Sequence, residues 1–221
     1  MGDDSLIIAV DGPAGSGKST LAKKIANILE IEYIDTGAMY RALTLKVIEA
    51  GIHPMHEEEV LKLLNNTTIS FKNNHIYLDG IMVDDKIREN IINKKVSDIA
   101  KISKVREEMV NIQKELARSN NVIMDGRDIG TVVLPDANFK FFITASVEER
   151  ARRRYRELIE RGERNITYQE TLQDIENRDR IDSTRKVSPL LKSSDSYEID
   201  TTDKTIDQSV EEILNIIRGG K

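Results

Sequence analysis

Residues 12–20 read Gly12-Pro13-Ala14-Gly15-Ser16-Gly17-Lys18-Ser19-Thr20, directly after the apolar run Leu6-Ile7-Ile8-Ala9-Val10 and the single acid Asp11. This is the G-x-x-x-x-G-K-[ST] spacing between a buried strand and a helix. In that setting a glycine-rich loop turns its backbone N–H groups inward around phosphate oxygens. All nine residues are expected at the phosphates of a nucleotide. Lys18 would reach the β- and γ-phosphates and the Ser19 hydroxyl would hold Mg²⁺. The helix opening near Lys18 would aim its positive dipole end at the same anion.

The rest of the chain continues the alternation that this unit starts. Strands are expected at 6–10, 31–34, 122–125, 139–143 and 197–200, and helices at 18–29, 38–50, 87–116, 147–161, 167–181 and 206–217. Thr36 is expected to cap the second helix. Right-handed crossovers then give a parallel five-stranded sheet of P-loop NTPase type, with helices on both faces. Residues 67–83 break the pattern. Three short β-prone runs separated by Asn73-Asn74 and Asp79-Gly80 read as an inserted antiparallel meander. The tail Gly219-Gly220-Lys221 is expected to fray.

Composition narrows the chemistry. The 221 residues suffice for one α/β domain with sub-domains, and a net charge of −5 argues against bulk binding to nucleic acid. The chain has no cysteine, which removes disulfides, thiolate metal sites and cysteine nucleophiles. The three histidines, His53, His56 and His75, are scattered, and the first two flank Pro54 as a solvated loop would. No apolar stretch approaches the roughly 20 residues of a membrane span. Met1-Gly2-Asp3-Asp4-Ser5 lacks the basic and apolar parts of a signal peptide. The expectation is a cytoplasmic monomer acting on small molecules, without nucleic-acid or membrane partners.

Several charged groups sit where ligands of such sheets bind, at the carboxyl ends of strands. The run at 150–164 is rich in arginine, either a solvated helix face or a mobile segment supplying guanidinium forks to a transferring phosphate. Gly126-Arg127-Asp128 follows a strand, as a plain turn or as part of a site, and Asp125 occupies the place of a Walker-B carboxylate. Arg178, Asp182 and Arg185 share one helical face, either as a salt-bridged surface or as a ligand-reading edge. An acceptor that is itself a phosphate is already deprotonated at neutral pH. Alignment and charge neutralisation would then replace base catalysis.

Four runs carry a family resemblance: Asp11–Thr20, Asp35-Thr-Gly-Ala-Met-Tyr-Arg41, Asp125-Gly-Arg-Asp-Ile-Gly-Thr-Val-Val133, and Arg178-Asp-Arg-Ile-Asp-Ser-Thr-Arg185 leading into Pro189-Leu190. Over nearly its full length the chain resembles the bacterial cytidylate kinases (CMP/dCMP kinases). The resemblance implies a core (about 1–64, 118–146 and 187–221), a nucleoside-monophosphate-binding insertion (about 65–117) and a lid (about 147–186). It implies ATP with Mg²⁺ as donor and CMP or dCMP as acceptor. The family's phosphate-gripping arginines fall on Arg41, Arg127 and Arg185, and its base-reading group on Ser97, Arg106 and Asp128. Arg178 and Asp182 match residues near the ribose, with Thr36 and Tyr40 in the same pocket. The family pattern points to Arg154 as the lid arginine at the transferred phosphate, so that Lys18, Arg127, Arg154 and Arg185 form the expected catalytic set. Thr36 stands where a serine is frequent, and Ser19 where many relatives have glycine.

The implied base site is chemically coherent. Cytosine offers an N4 amino donor with N3 and O2 acceptors, which Asp128 and Arg106 would complement. Uracil puts an acceptor against the Asp128 carboxylate, a mismatch of about 1–3 kcal/mol. Two other readings compete. A P-loop kinase acting on a hydroxyl, such as that of shikimate or gluconate, would want a carboxylate base. A GTPase-type switch would want Asn-Lys-x-Asp, and Asn93-Lys94-Lys95-Val96 lacks its acid.

Overall fold

The computed structural model describes residues 5–118 and 121–220. Met1 to Asp4 and Lys221, on which the readings of the two termini partly fall, lie outside them. Ile7–Asp11 (β1) is the middle of a five-stranded sheet in the order β2-β6-β1-β7-β8, with β2 Glu32–Asp35, β6 Val122–Gly126, β7 Phe139–Thr144 and β8 Tyr197–Asp200. Every pairing is parallel. Strand side chains alternate between faces, so β1 feeds two cores. Ile8 and Val10 pack with Leu21 and Ile25 of α1 (Lys18–Leu29) and Val210, Ile213 and Ile217 of α8 (Ile206–Gly219). Ala9 turns the other way, into the cluster built by α2 (Thr36–Glu49), α3 (Glu57–Asn65), α4 (Asn90–Ala100) and α5 (Ser103–Ala117).

The meander forms as its turn residues require. β3 (Ile69–Lys72), β4 (His75–Leu78) and β5 (Ile81–Met82) are antiparallel. Both two-residue turns, Asn73-Asn74 and Asp79-Gly80, have φ between 50° and 82°, the left-handed conformation of tight hairpins. Ile69, Ile76 and Leu78 join the α2–α5 core, so the meander shares its apolar interior. The last layer is α6 (Val147–Glu160) and α7 (Tyr168–Thr184), which pack on each other; Ser146 caps α6 and a Thr167–Glu170 capping box opens α7. Among the described residues no helix is long and apolar enough to cross a membrane.

The structure differs from the sequence expectations at several places. The helix expected over 87–116 is a single turn at Lys86–Arg88, then α4 and α5, with Ile102 extended at the break. Buried Ile92, Val96, Ile99, Ile102, Val105 and Met109 keep three- and four-residue spacing across it, so periodicity does not register the break. Asp35, not Thr36, caps α2: its carboxylate accepts from the Ala38 N–H at 2.8 Å. Helix α3 had no counterpart in the sequence reading. The segment after β6 is a π-helical turn, Ile129–Val133. The tail expected to fray is helical instead: α8 runs to Gly219, and the Gly220 N–H donates to Ile216 O.

Candidate active site

The nine-residue loop wraps the N-terminus of α1. Gly15 and Gly17 have φ of 74° and 87°. A Cβ on Gly12 would lie 2.0 Å from Ile143 O, so only glycine fits between β1 and β7 there. Gly17 precedes α1 with no side-chain cap, which leaves the first N–H groups of the helix for a ligand. Lys18 is buried and donates through Nζ to Pro13 O at 3.1 Å. Burial, reinforced by Arg127, pulls its pKa down to about 7.

Beside the loop, the Asp125 carboxylate at the end of β6 accepts from Ser19 Oγ at 2.7 Å and from Tyr33 OH at 2.9 Å. Burial, with Asp35 nearby, raises its pKa to about 6. Thr36 Oγ1 donates to Asp125 O at 2.7 Å, tying the start of α2 to this strand.

A second group of charges forms a continuous network across three elements. Arg127 donates through Nε to Asp182 at 2.7 Å. Arg185 reaches Asp182 at 3.4 Å and Asp128 at 3.5 Å, and Arg106 donates to Asp128 at 2.6 Å. Burial works against ionisation of Asp182, but Arg127, Arg185 and Arg178 overcome it and hold its carboxyl below the usual range. Arg106 lies over the Tyr40 ring, whose hydroxyl is pushed up to about 12 by burial. Arg178 is lowered to about 10 by burial and by Arg127. Arg41 pairs with Asp35 at 2.8 Å.

Apart from Gly12, Pro13 and Tyr33, these groups line one crevice of about 680 Å³. Every residue expected at the site borders it except Gly12 and Pro13. Those two are turned into the loop's own support: Gly12 packs on β7, and the Pro13 carbonyl is taken by Lys18. Seven buried side-chain polar atoms make no hydrogen bond among the described residues, and six belong to crevice residues: Ser16, Tyr40, Arg41, Arg106, Arg178 and Arg185, whose Nη2 keeps only its ion pair with Asp128 at 3.5 Å. Buried donors are seldom left unpaired, and five of these six residues are cationic or phenolic groups suited to an anionic, hydrogen-bonding guest.

The arginine run divides. Arg153, Arg154, Arg156 and Arg161 line the crevice, and Arg154 pairs with Glu157 at 2.8 Å. Arg150 and Arg152 do not. Arg152 pairs with Glu149 on the surface, and Arg150 is buried against the P-loop. Sequence reasoning missed Thr201, Lys204 and Ile206, which border the crevice beyond β8. The strand-end rule applied to β8 would have found them. It also missed Asp11, whose carboxylate accepts from the N–H groups of Ile129 and Gly130 at 2.8 and 2.7 Å. Burial raises the Asp11 pKa to about 6. Its position, a single acid closing an apolar strand just before the glycine loop, was the available signal.

A parallel sheet with a Gly-rich loop opening a helix at the end of its central strand defines a P-loop nucleotide-binding protein. The shikimate kinase of Bacteroides thetaiotaomicron shares this fold, with a TM-score of 0.51 at 14% identity over 96% of this chain and 98% of that one. The cytidylate kinase family model matches residues 8–219. The cytidylate kinase of Clostridioides difficile is 51% identical over 96% of this chain and 98% of its own length. That of Alkaliphilus oremlandii is 54% identical over 96% and 97%. The chain belongs to the cytidylate kinase family, and so to the nucleoside monophosphate kinases.

Proposed function

We propose that the protein transfers the γ-phosphate of ATP to CMP and dCMP, giving ADP and the cytidine diphosphate, with Mg²⁺ on the donor. The observation that carries this reading is the buried Arg106–Asp128 pair sharing one crevice with the P-loop. The loop and Lys18 take the triphosphate. Asp128 accepts from cytosine N4 while Arg106, assisted by Ser97, donates to N3 and O2. Arg41, Arg127 and Arg185 grip the acceptor phosphate, Arg178 and Asp182 border its sugar beside Tyr40 and Thr36, and Arg154 meets the phosphate in transfer.

Every carboxylate lining the crevice is already engaged. Asp35 is paired with Arg41, Asp125 with Ser19 and Tyr33, Asp128 with Arg106, Asp182 with Arg127, Glu149 with Arg153 and Glu157 with Arg154. That supports transfer between phosphates, in which fixed cations neutralise repulsion and align the acceptor oxygen, over transfer to a hydroxyl that needs a base. The hard oxygens of Ser19 and Asp125 suit Mg²⁺, which favours one or two carboxylates plus phosphate oxygens. When bound, the ion supplies charge neutralisation on the phosphates.

On this reading residues of about 65–117 serve as the acceptor-binding insertion and about 147–186 as the lid of a monomeric cytoplasmic enzyme. An acceptor panel with ATP and Mg²⁺ tests it. CMP and dCMP should be phosphorylated in preference to UMP, AMP and GMP, and shikimate and gluconate not at all. A hydroxyl acceptor outperforming the nucleotides would overturn it.

A further inference from the structure

Helix α7 touches the P-loop directly. Asp179 accepts from Arg150 Nη1 at 2.5 Å through one oxygen and from the Ala14 N–H at 3.4 Å through the other. Arg150 in turn donates from Nη1 to Ala14 O at 3.0 Å and from Nε to Ala145 O at 3.0 Å. The backbone of Ala14, near the start of the phosphate loop, is therefore held on its N–H by a side chain of α7 and on its C=O by one of α6. The approach is close: a Cβ on Gly15 would come within 3.1 Å of Arg150 O.

The same helix carries the other end of the charge network. Asp182, three residues on from Asp179, takes Arg127 and Arg185, and Arg178 lines the crevice. A helix is stiff over a single turn, with residues three apart on neighbouring positions of one face. Any displacement that reseats Asp182 and Arg185 carries Asp179 with it.

We propose that Asp179, with Arg150, is a positioning residue through which the acceptor's hold on α7 sets the Ala14 peptide for the donor. The inference rests on the function proposed above. An acceptor whose phosphate is gripped by Arg185 and whose sugar is bordered by Arg178 fixes α7, and the donor then meets a loop already in place. By linkage the effect is reciprocal, the donor tightening the acceptor by the same factor. Neither Asp179 nor Arg150 touches either nucleotide in this account.

The test uses the full chain, titrated calorimetrically with a non-hydrolysable ATP analogue in the absence and presence of saturating CMP. In the unaltered protein CMP should tighten the analogue at least about fivefold. In Asp179→Asn the –NH₂ must face either the Ala14 N–H or Arg150, so one contact is lost whichever way the amide lies. The coupling should fall below about twofold while CMP alone binds within about threefold of normal. Arg150→Lys keeps the charge but not the fork, and should act in the same direction. A measurement needing no variant is amide exchange: CMP alone should slow exchange of the peptide covering residues 12–19. Full coupling in a folded Asp179→Asn, or no slowing by CMP in the unaltered protein, would overturn the inference. Tight binding of both nucleotides without coupling removes only this inference, whereas failure to bind CMP at all removes the proposed function and this inference with it.

Discussion

Arg106 donates to Asp128 across 2.6 Å with the two side chains only 3% and 8% exposed. A desolvated pair of this kind persists when each charge is also engaged elsewhere, and breaking it from one side costs about 3–5 kcal/mol. Asp128 holds Arg185 as well, and Arg106 lies over Tyr40. Replacing Asp128 by asparagine keeps shape and supplies both a donor and an acceptor. Asp128→Asn should therefore lower the CMP-to-UMP ratio of kcat/KM by about 10–100-fold, with little change in KM for ATP. An unchanged ratio in a folded variant would refute the base-reading role.

Lys18 predicts a proton linkage. Its pKa sits at about 7 because of burial and Arg127, and a triphosphate would favour the ammonium form. Donor binding should therefore take up protons above pH 7, and donor affinity should fall as pH rises through that value. Titrating MgATP at pH 7.5 in two buffers of different ionisation enthalpy should give different heats. Lys18→Met should abolish the difference and lower turnover about 100-fold or more. Identical heats in both buffers for the unaltered protein would contradict this.

Asp125 predicts opposite effects on stability and activity. Its pKa is raised from 3.8 to about 6, chiefly by burial. Between those values the folded state binds the proton that the unfolded chain has released. The contribution is thus most favourable at low pH and is lost as pH rises through about 6. Asp125→Asn should raise Tm at pH 8 by about 2–4 °C, with the gain shrinking toward pH 5, while Mg²⁺-dependent activity collapses. A pH-independent change in Tm would count against burial as the source of the shift.

Asp11 predicts a selective defect. It ends β1 and holds the two amides that follow Asp128. Asparagine can accept from only one of them, leaving the other N–H buried and unpaired at a cost of about 1–3 kcal/mol. Asp11→Asn should lower Tm and raise KM for CMP more than KM for ATP. Equal loss for both substrates would mean that Asp11 supports the P-loop alone.

What the sequence makes legible follows the range of the forces involved. β1, the loop and α1 are adjacent in the chain, and their order is written locally. The parallel sheet follows from alternation, and the meander from Asn73-Asn74 and Asp79-Gly80, whose backbone demands are local too. The break at Ile102 is hidden because apolar spacing runs through it. The Asp35 cap was misread because two adjacent residues can both cap a helix and only the tertiary bond of Thr36 to Asp125 decides between them. Lys18, Arg41, Arg106, Arg127, Arg178 and Arg185 share one crevice as expected. Arg150 is instead used in the structure, because only the three-dimensional approach of α6 to Gly15 shows where it points.

The central claim is that fixed cations align two nucleotides so that a phosphate oxygen, needing no base, attacks the γ-phosphate. The direct measurement is ³¹P NMR of the purified protein with ATP, Mg²⁺ and equal CMP and cytidine. The account predicts the signals of CDP and ADP, with cytidine untouched. No CDP, or phosphorylation of cytidine at a rate comparable with CMP, would contradict it.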